Sequence, residues 1–181
     1  MAAFGLRSYV TAVIWRRQGE GMRIGLFSVG RLKTGPEKDL AARYLDRFAK
    51  AGPGVGLELV KVTEVAESRA SNGDTRKREE ASALLKTLPE SGVLILLDEG
   101  GRALDSQSFA ALVGGYRDQG KRDLTIAIGG ADGLDTALYN RADATVSLGK
   151  MTWPHQLVRI LIAEQLYRAV TILSGHPYHR A

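Results

Sequence analysis

Val93-Leu94-Ile95-Leu96-Leu97 is an unbroken aliphatic run closed by Asp98. Apolar side chains in succession leave neither face of a strand for water, so the run reads as an interior strand of a sheet covered on both sides. Four other segments carry strand patterns: residues 22–29, 55–65, 124–128 and 144–148. In the second of these, Leu57, Leu59 and Val60 are the expected core contributors. The stretches between strands have helical spacing. Residues 36–51 place Leu40, Ala41, Tyr44, Leu45 and Phe48 on one stripe, with Pro36 suited to a first turn and Gly52-Pro53 to a stop. Residues 75–88 set Ala81, Leu84, Leu85 and Leu88 on an apolar side, and Arg76-Lys77-Arg78 followed by Glu79-Glu80 reads as its solvated face. Asp105 caps a helix running through residue 116 and ending at Gly120, residues 136–141 form a short helix, and the last helix spans 153–173 with Thr152 as cap. The polar residues 67–74 read as a mobile loop, and 99–102 as the exit from the apolar strand.

Strand and helix alternating to the end predict an α/β fold, a mainly parallel sheet with helices on both faces. Ligands of such sheets bind outside the carboxyl ends of the strands. The loops there follow Leu97, Ile128 and Leu148, and all three contain glycine.

Composition removes several chemistries. The chain has 181 residues and no cysteine, which excludes a thiol nucleophile, a cysteine-ligated metal and a disulfide framework, and fits a reducing cytoplasm. No run approaches the ~18 apolar residues of a membrane helix. The three histidines, His155, His176 and His179, lack the His-x-x-x-His spacing of a helical metal site, so no metal is expected. A net charge of +5 leans toward a polyanionic partner. Residues 1–21 read as a dispensable extension, since Ser8–Trp15 is too short and wrongly flanked for a secretory signal; residues 22–181 read as a single domain beginning at Met22.

The carboxyl-terminal third holds the residues with chemistry in them. Gly129-Gly130-Ala131-Asp132-Gly133 after a strand suits close backbone approach to a ligand, yet it matches neither the dinucleotide nor the Walker fingerprint, and a tight turn explains it equally. The last helix is apolar around nearly its whole circumference but carries His155 and Arg159 near its start and Glu164 and Arg168 on the opposite side. That second pair is either an internal ion pair or faces a site. The tail Tyr178-His179-Arg180 joins a stacking ring, a proton acceptor and a phosphate-binding cation, although chain ends ordinarily fray.

Together Val29-Gly30-Arg31-Leu32-Lys33, Leu97-Asp98-Glu99-Gly100-Gly101, Ile128-Gly129-Gly130-Ala131-Asp132-Gly133, Ser147-Leu148-Gly149-Lys150-Met151-Thr152-Trp153-Pro154-His155, Glu164-Gln165-Leu166-Tyr167-Arg168 and His176-Pro177-Tyr178-His179-Arg180 carry a resemblance. The chain resembles, over residues 22–181, the small bacterial 23S rRNA (pseudouridine-N3)-methyltransferases of the SPOUT superfamily. The resemblance implies a C-terminal trefoil knot, a homodimer, S-adenosyl-L-methionine as cofactor and a pseudouridine of 23S rRNA in the ribosome as substrate. It places cofactor contacts at Leu97, Gly129, Leu148, Gly149, Lys150, Met151, Thr152 and Trp153. Tyr178, His179 and Arg180 would reach an active site shared with the other subunit. Within that frame His179 is the expected proton acceptor, with Glu164 or His155 in reserve, and Arg168 and Arg180 would hold phosphate or developing enolate charge. A knotted methyltransferase for another RNA nucleotide and a non-catalytic ribosome-binding factor are the alternatives; a nucleotide-binding oxidoreductase lacks its motif.

Overall fold

The computed structural model describes residues 21–179, His179 by its backbone alone. Five strands and five helices alternate: β1 (Met22–Val29), α1 (Pro36–Ala51), β2 (Leu57–Val65), α2 (Gly73–Leu85), β3 (Val93–Ala103), α3 (Ser106–Asp118), β4 (Asp123–Ile128), α4 (Thr136–Arg141), β5 (Ala144–Ser147) and α5 (His155–Leu173). The strands form one parallel sheet in the order β2-β1-β4-β3-β5.

The apolar run in β3 is interior, as its composition requires. Val93, Ile95 and Leu97 face a core shared with Ile24, Ile126, Phe48, Phe109, Ile162 and Leu166, beneath α1, α3 and α5. Leu94 and Leu96 face a smaller core with Phe27, Ala81, Leu84 and Leu138, beneath α2 and α4. Helix α5 lies between α1 and α3, having crossed back over the sheet from β5 at its edge. That course is consistent with the trefoil knot implied by the resemblance.

Several boundaries differ from the sequence expectation, each for a local reason. A 3₁₀ turn, Gly52–Val55, takes the start of the second expected strand, and Gly56 at φ +72 turns the chain into β2. A register shift opposite Ile24 and Gly25 leaves Val60 without a partner in the ladder, and Val60 is 52% exposed instead of buried. Helix α2 begins two residues early because the Asn72 side chain accepts the N–H groups of Asp74 and Thr75. It ends at Leu85, which is exposed.

The loop before α2 is pinned. Ser68 N–H donates to Glu80, and Arg76 donates to Ala70 O at 2.8 Å. Residues 99–102 are no simple exit: β3 resumes after an irregularity, and Arg102 and Ala103 pair with Val146 and Ser147 of β5. Gly101 permits this, since a Cβ there would lie 2.7 Å from the Thr145 carbonyl carbon and the Val146 nitrogen.

The last helix starts at His155. Pro154 occupies its cap with extended ψ, and no side chain caps it, so Thr152 does not play that part. The residue before a proline avoids helical geometry, which keeps Trp153 outside the helix.

Candidate functional site

The carboxyl ends of β3, β4 and β5 open into one cleft of about 460 Å³, within the ~300–1,000 Å³ range of small-molecule sites. Leu97, Asp98 and Glu99 come from β3; Ile128 and the loop Gly129–Leu134 follow β4; Leu148, Gly149, Met151, Thr152 and Trp153 follow β5; His155 and Val158 belong to the first turns of α5. Seven of the eight residues expected to touch a cofactor therefore meet here. Lys150 is exposed and outside the lining.

Each wall has its own fastening. After β5, Ser147 Oγ donates to Gly149 O at 2.9 Å and accepts Gly149 N–H at 3.2 Å, Gly149 takes φ +109, and Trp153 Nε1 closes the loop onto Leu148 O at 3.3 Å. After β4, Gly129 and Gly130 sit close against neighbouring side chains: a Cβ would come within 2.8 Å of Leu134 Cδ2 and Glu80 Oε2 respectively, so those side chains would have to shift. Arg76 grips the same loop from α2, its Nε 2.6 Å and Nη2 2.8 Å from the two carboxylate oxygens of Asp132. That guanidinium holds the Asp132 carboxyl below the usual carboxylate range. On the β3 wall, Asp98 accepts Gly100 N–H and the Tyr139 hydroxyl, both at 2.8 Å. Burial first, and then that bond, push the Tyr139 hydroxyl up to about 12, so it remains a donor at neutral pH.

Arg76 and the β3 acids were missed as parts of the site. Nothing in the sequence links Arg76 to Asp132, 56 residues away; it lies in a charge run that balances itself locally. Asp98 was visible as the acid closing an apolar strand.

Glu164, Arg168 and Tyr178 are elsewhere. With ~1.5 Å of rise per residue, Glu164 stands about 13 Å up α5 from His155. Its carboxylate accepts Arg168 Nη2 at 2.7 Å, Arg168 Nε at 2.9 Å, Gln165 at 2.7 Å and the Tyr178 hydroxyl at 3.4 Å. The Tyr178 ring lies 4.9 Å from Tyr167 and under the Arg168 guanidinium at 5.1 Å. Burial, followed by the Glu164 charge, raises the Tyr178 hydroxyl above its ordinary value, which suits stacking and donation over proton uptake. His155 lines the cleft, whereas the side chain of His179 and all of Arg180 lie outside the described residues. Arg159 does not pair with His155; it is buried against β1 and β2.

A parallel α/β sheet with a glycine-walled cleft at its carboxyl edge defines a small-molecule-binding α/β protein. A family model described as "Predicted SPOUT methyltransferase" matches residues 22–179, and the chain belongs to that SPOUT methyltransferase family. It is similar to proteins named ribosomal RNA large subunit methyltransferase H. The one from Rhizobium rhizogenes is 83% identical over 159 residues, 88% of this chain and 99% of the relative. The one from Rhizobium leguminosarum bv. trifolii is 82% identical over the same shares, and that from Sinorhizobium fredii 77% over 88% and 100%.

The cleft suits the cofactor of that family. Leu97, Ile128, Leu134, Leu148 and Val158 offer apolar surface for an adenine ring, and the glycine loops offer open backbone. Asp98 and Glu99 offer negative charge to a cationic sulfonium and amine. No helix among the described residues is long and apolar enough to cross a membrane.

Proposed function

We propose that the chain transfers a methyl group from S-adenosyl-L-methionine to N3 of a pseudouridine in 23S rRNA, on the assembled ribosome in the cytoplasm, as a homodimer. The observation that carries ribosomal RNA as the substrate is the match to rRNA large subunit methyltransferases over 99–100% of their length, together with a cleft at the carboxyl edge whose lining fits the cofactor.

When bound, the cofactor supplies a methyl group on a sulfonium, electrophilic enough to need no covalent enzyme intermediate. The chain's own residues then have three tasks. The loops Gly129–Leu134 and 148–153 orient the donor, held by Arg76 and by Trp153. A ring nitrogen that is protonated at neutral pH must lose its proton, and histidine, with an ordinary pKa of ~6.5, suits that task. His179 is our choice; His155 is the second reading, favoured by its place in the cleft lining. Glu164 is poorly suited, because Arg168, Gln165 and Tyr178 already occupy its oxygens. Arg168 and Arg180 hold phosphate or developing enolate charge, and Tyr178 stacks on the target base.

Separation of the Glu164–Arg168–Tyr178 cluster from the cleft of the same protomer supports the dimer: side chains that far along α5 act on the substrate by meeting a second copy's cleft. Met151 at the cleft and Leu157 on the first turns of α5, 65% and 38% exposed, are apolar surface available to such a copy.

Mass spectrometry of large-subunit RNA from a strain lacking this gene tests the function. One pseudouridine without its methyl group is the expected result; an unchanged modification profile refutes it. For the base, single-turnover methylation should fall at least a hundredfold in His179→Ala and by much less in His155→Ala, and the reverse order would hand the role to His155.

A further inference from the structure

The turn between β1 and α1, Gly30-Arg31-Leu32-Lys33-Thr34-Gly35, has no part in the cofactor cleft, yet its backbone is held more firmly than a simple connection requires. Gly30 takes φ +82 and donates to Val65 O at 2.8 Å. Arg159 Nη2 donates to Val29 O at 2.8 Å and to Gly30 O at 2.7 Å. Its Nη1 reaches Glu64 at 2.6 Å, and Glu64 in turn accepts the Leu32 N–H at 3.3 Å.

This frame is costly. The Arg159 side chain is only 8% exposed, its Nε has no hydrogen-bond partner, and burial lowers its pKa. What it holds in place is a pair of exposed cations. Arg31 and Lys33 have no ion-pair or hydrogen-bond partner among the described residues, and neither has Arg69 in the loop after β2. All three stand at the carboxyl edge of the sheet, Arg31 and Lys33 after β1, the neighbour of β4, and Arg69 after β2 on the far side of β1. The turn adjoins the cleft on both sides of its anchor. Val29 Cγ1 lies 3.1 Å from where a Cβ on Gly130 would be, and Arg159 is one helical turn from His155, which lines the cleft.

We infer that this turn is a docking point for RNA phosphates beside the methyl-transfer cleft, with Arg31 and Lys33 as the contacts and Arg69 extending the strip. The inference rests on RNA being the substrate. Phosphate contacts of this kind position a nucleic acid without reading its sequence, and fixing their backbone in advance reduces the ordering cost of binding.

The test is methyl transfer from tritiated S-adenosyl-L-methionine to large ribosomal subunits isolated from a strain lacking the gene. The double variant Arg31→Ala/Lys33→Ala should bind the cofactor as the unaltered protein does. Its KM for subunits should rise about tenfold or more at ~0.1 M salt, with kcat at saturation changed less than about twofold. The slope of log KM against log salt should shrink by about two, one for each lost phosphate contact. A control, Lys121→Ala/Arg122→Ala, removes the same charge from the opposite edge of the sheet, just before β4, and should leave KM and slope unchanged. An unchanged KM and slope in the first variant overturn the inference, as does an equal rise in the control, which would mean bulk charge alone is at work. If the unaltered protein methylates no large-subunit RNA, the functional reading fails and takes the inference with it.

Discussion

At the scale of single residues, the glycine loop of the cleft is held by a long-range contact. Arg76 of α2 binds both oxygens of Asp132 and also Ala70 O, so it joins the loop before α2 to the glycine loop after β4. Replacing it by methionine should raise the dissociation constant for S-adenosyl-L-methionine about three- to tenfold with little change in thermal stability, and calorimetry measures both. The sign of the pH effect follows from Asp132, whose carboxyl is depressed in the folded protein. The pair's contribution is fully present above the ordinary aspartate value of ~3.9 and is lost as pH falls through the lower, folded value. Cofactor affinity should therefore show no loss from this pair between pH 8 and 5. In Arg76→Met the Asp132 carboxyl should titrate at a higher pH, visible by NMR. Equal affinity in the variant would mean that the glycine loop holds its shape unaided.

At the scale of elements, the join of β3 and β5 is the tightest. After Leu97 the strand bulges and resumes, and only glycine at position 101 lets the backbone of β5 pass. Gly101→Ala should destabilise the fold by roughly 2–3 kcal/mol, a fall of about 5–10 °C in Tm. Gly54→Ala, where a Cβ meets nothing within 4 Å, should leave Tm in place. This region also marks where sequence reading stopped working. Strand and helix identity, the parallel sheet and the three loops of the cleft were legible because aliphatic runs and helical stripes repeat with fixed periods. The resumption of β3 was not, because Glu99-Gly100-Gly101-Arg102 has the composition of a turn and its pairing comes from a strand over 40 residues on. Val60 misled for a related reason: a ladder irregularity is set by two strands and leaves no mark in either. Thr152 had a capping side chain, but the proline two residues later set the helix boundary.

At the scale of the whole molecule, the cleft at the start of α5 and the ionic and aromatic cluster farther along that helix are separate regions of the chain, and the function we propose draws on both. Residues 1–20 lie outside the described residues. The family match begins at residue 22, and β1 starts there with Met22 1% exposed. Removing residues 1–21 should leave the melting temperature and the methylation rate within experimental error of the full chain. A loss of either would make the extension part of the working protein.

The reach of Arg159 bears on how the protein is made. Its guanidinium closes on Val29, 130 residues earlier in the chain, and on Glu64, 95 residues earlier. β1 likewise waits for β4, with Arg23 bonded to Asp123. During synthesis, then, the first strand leaves the ribosome long before its inner neighbour exists, and the turn after it is secured only when nearly the whole chain is out. Contacts of such sequence separation slow folding, so a nascent chain of this protein passes through a period in which an apolar strand has a partner on one side only, and shielding by a chaperone would matter most then.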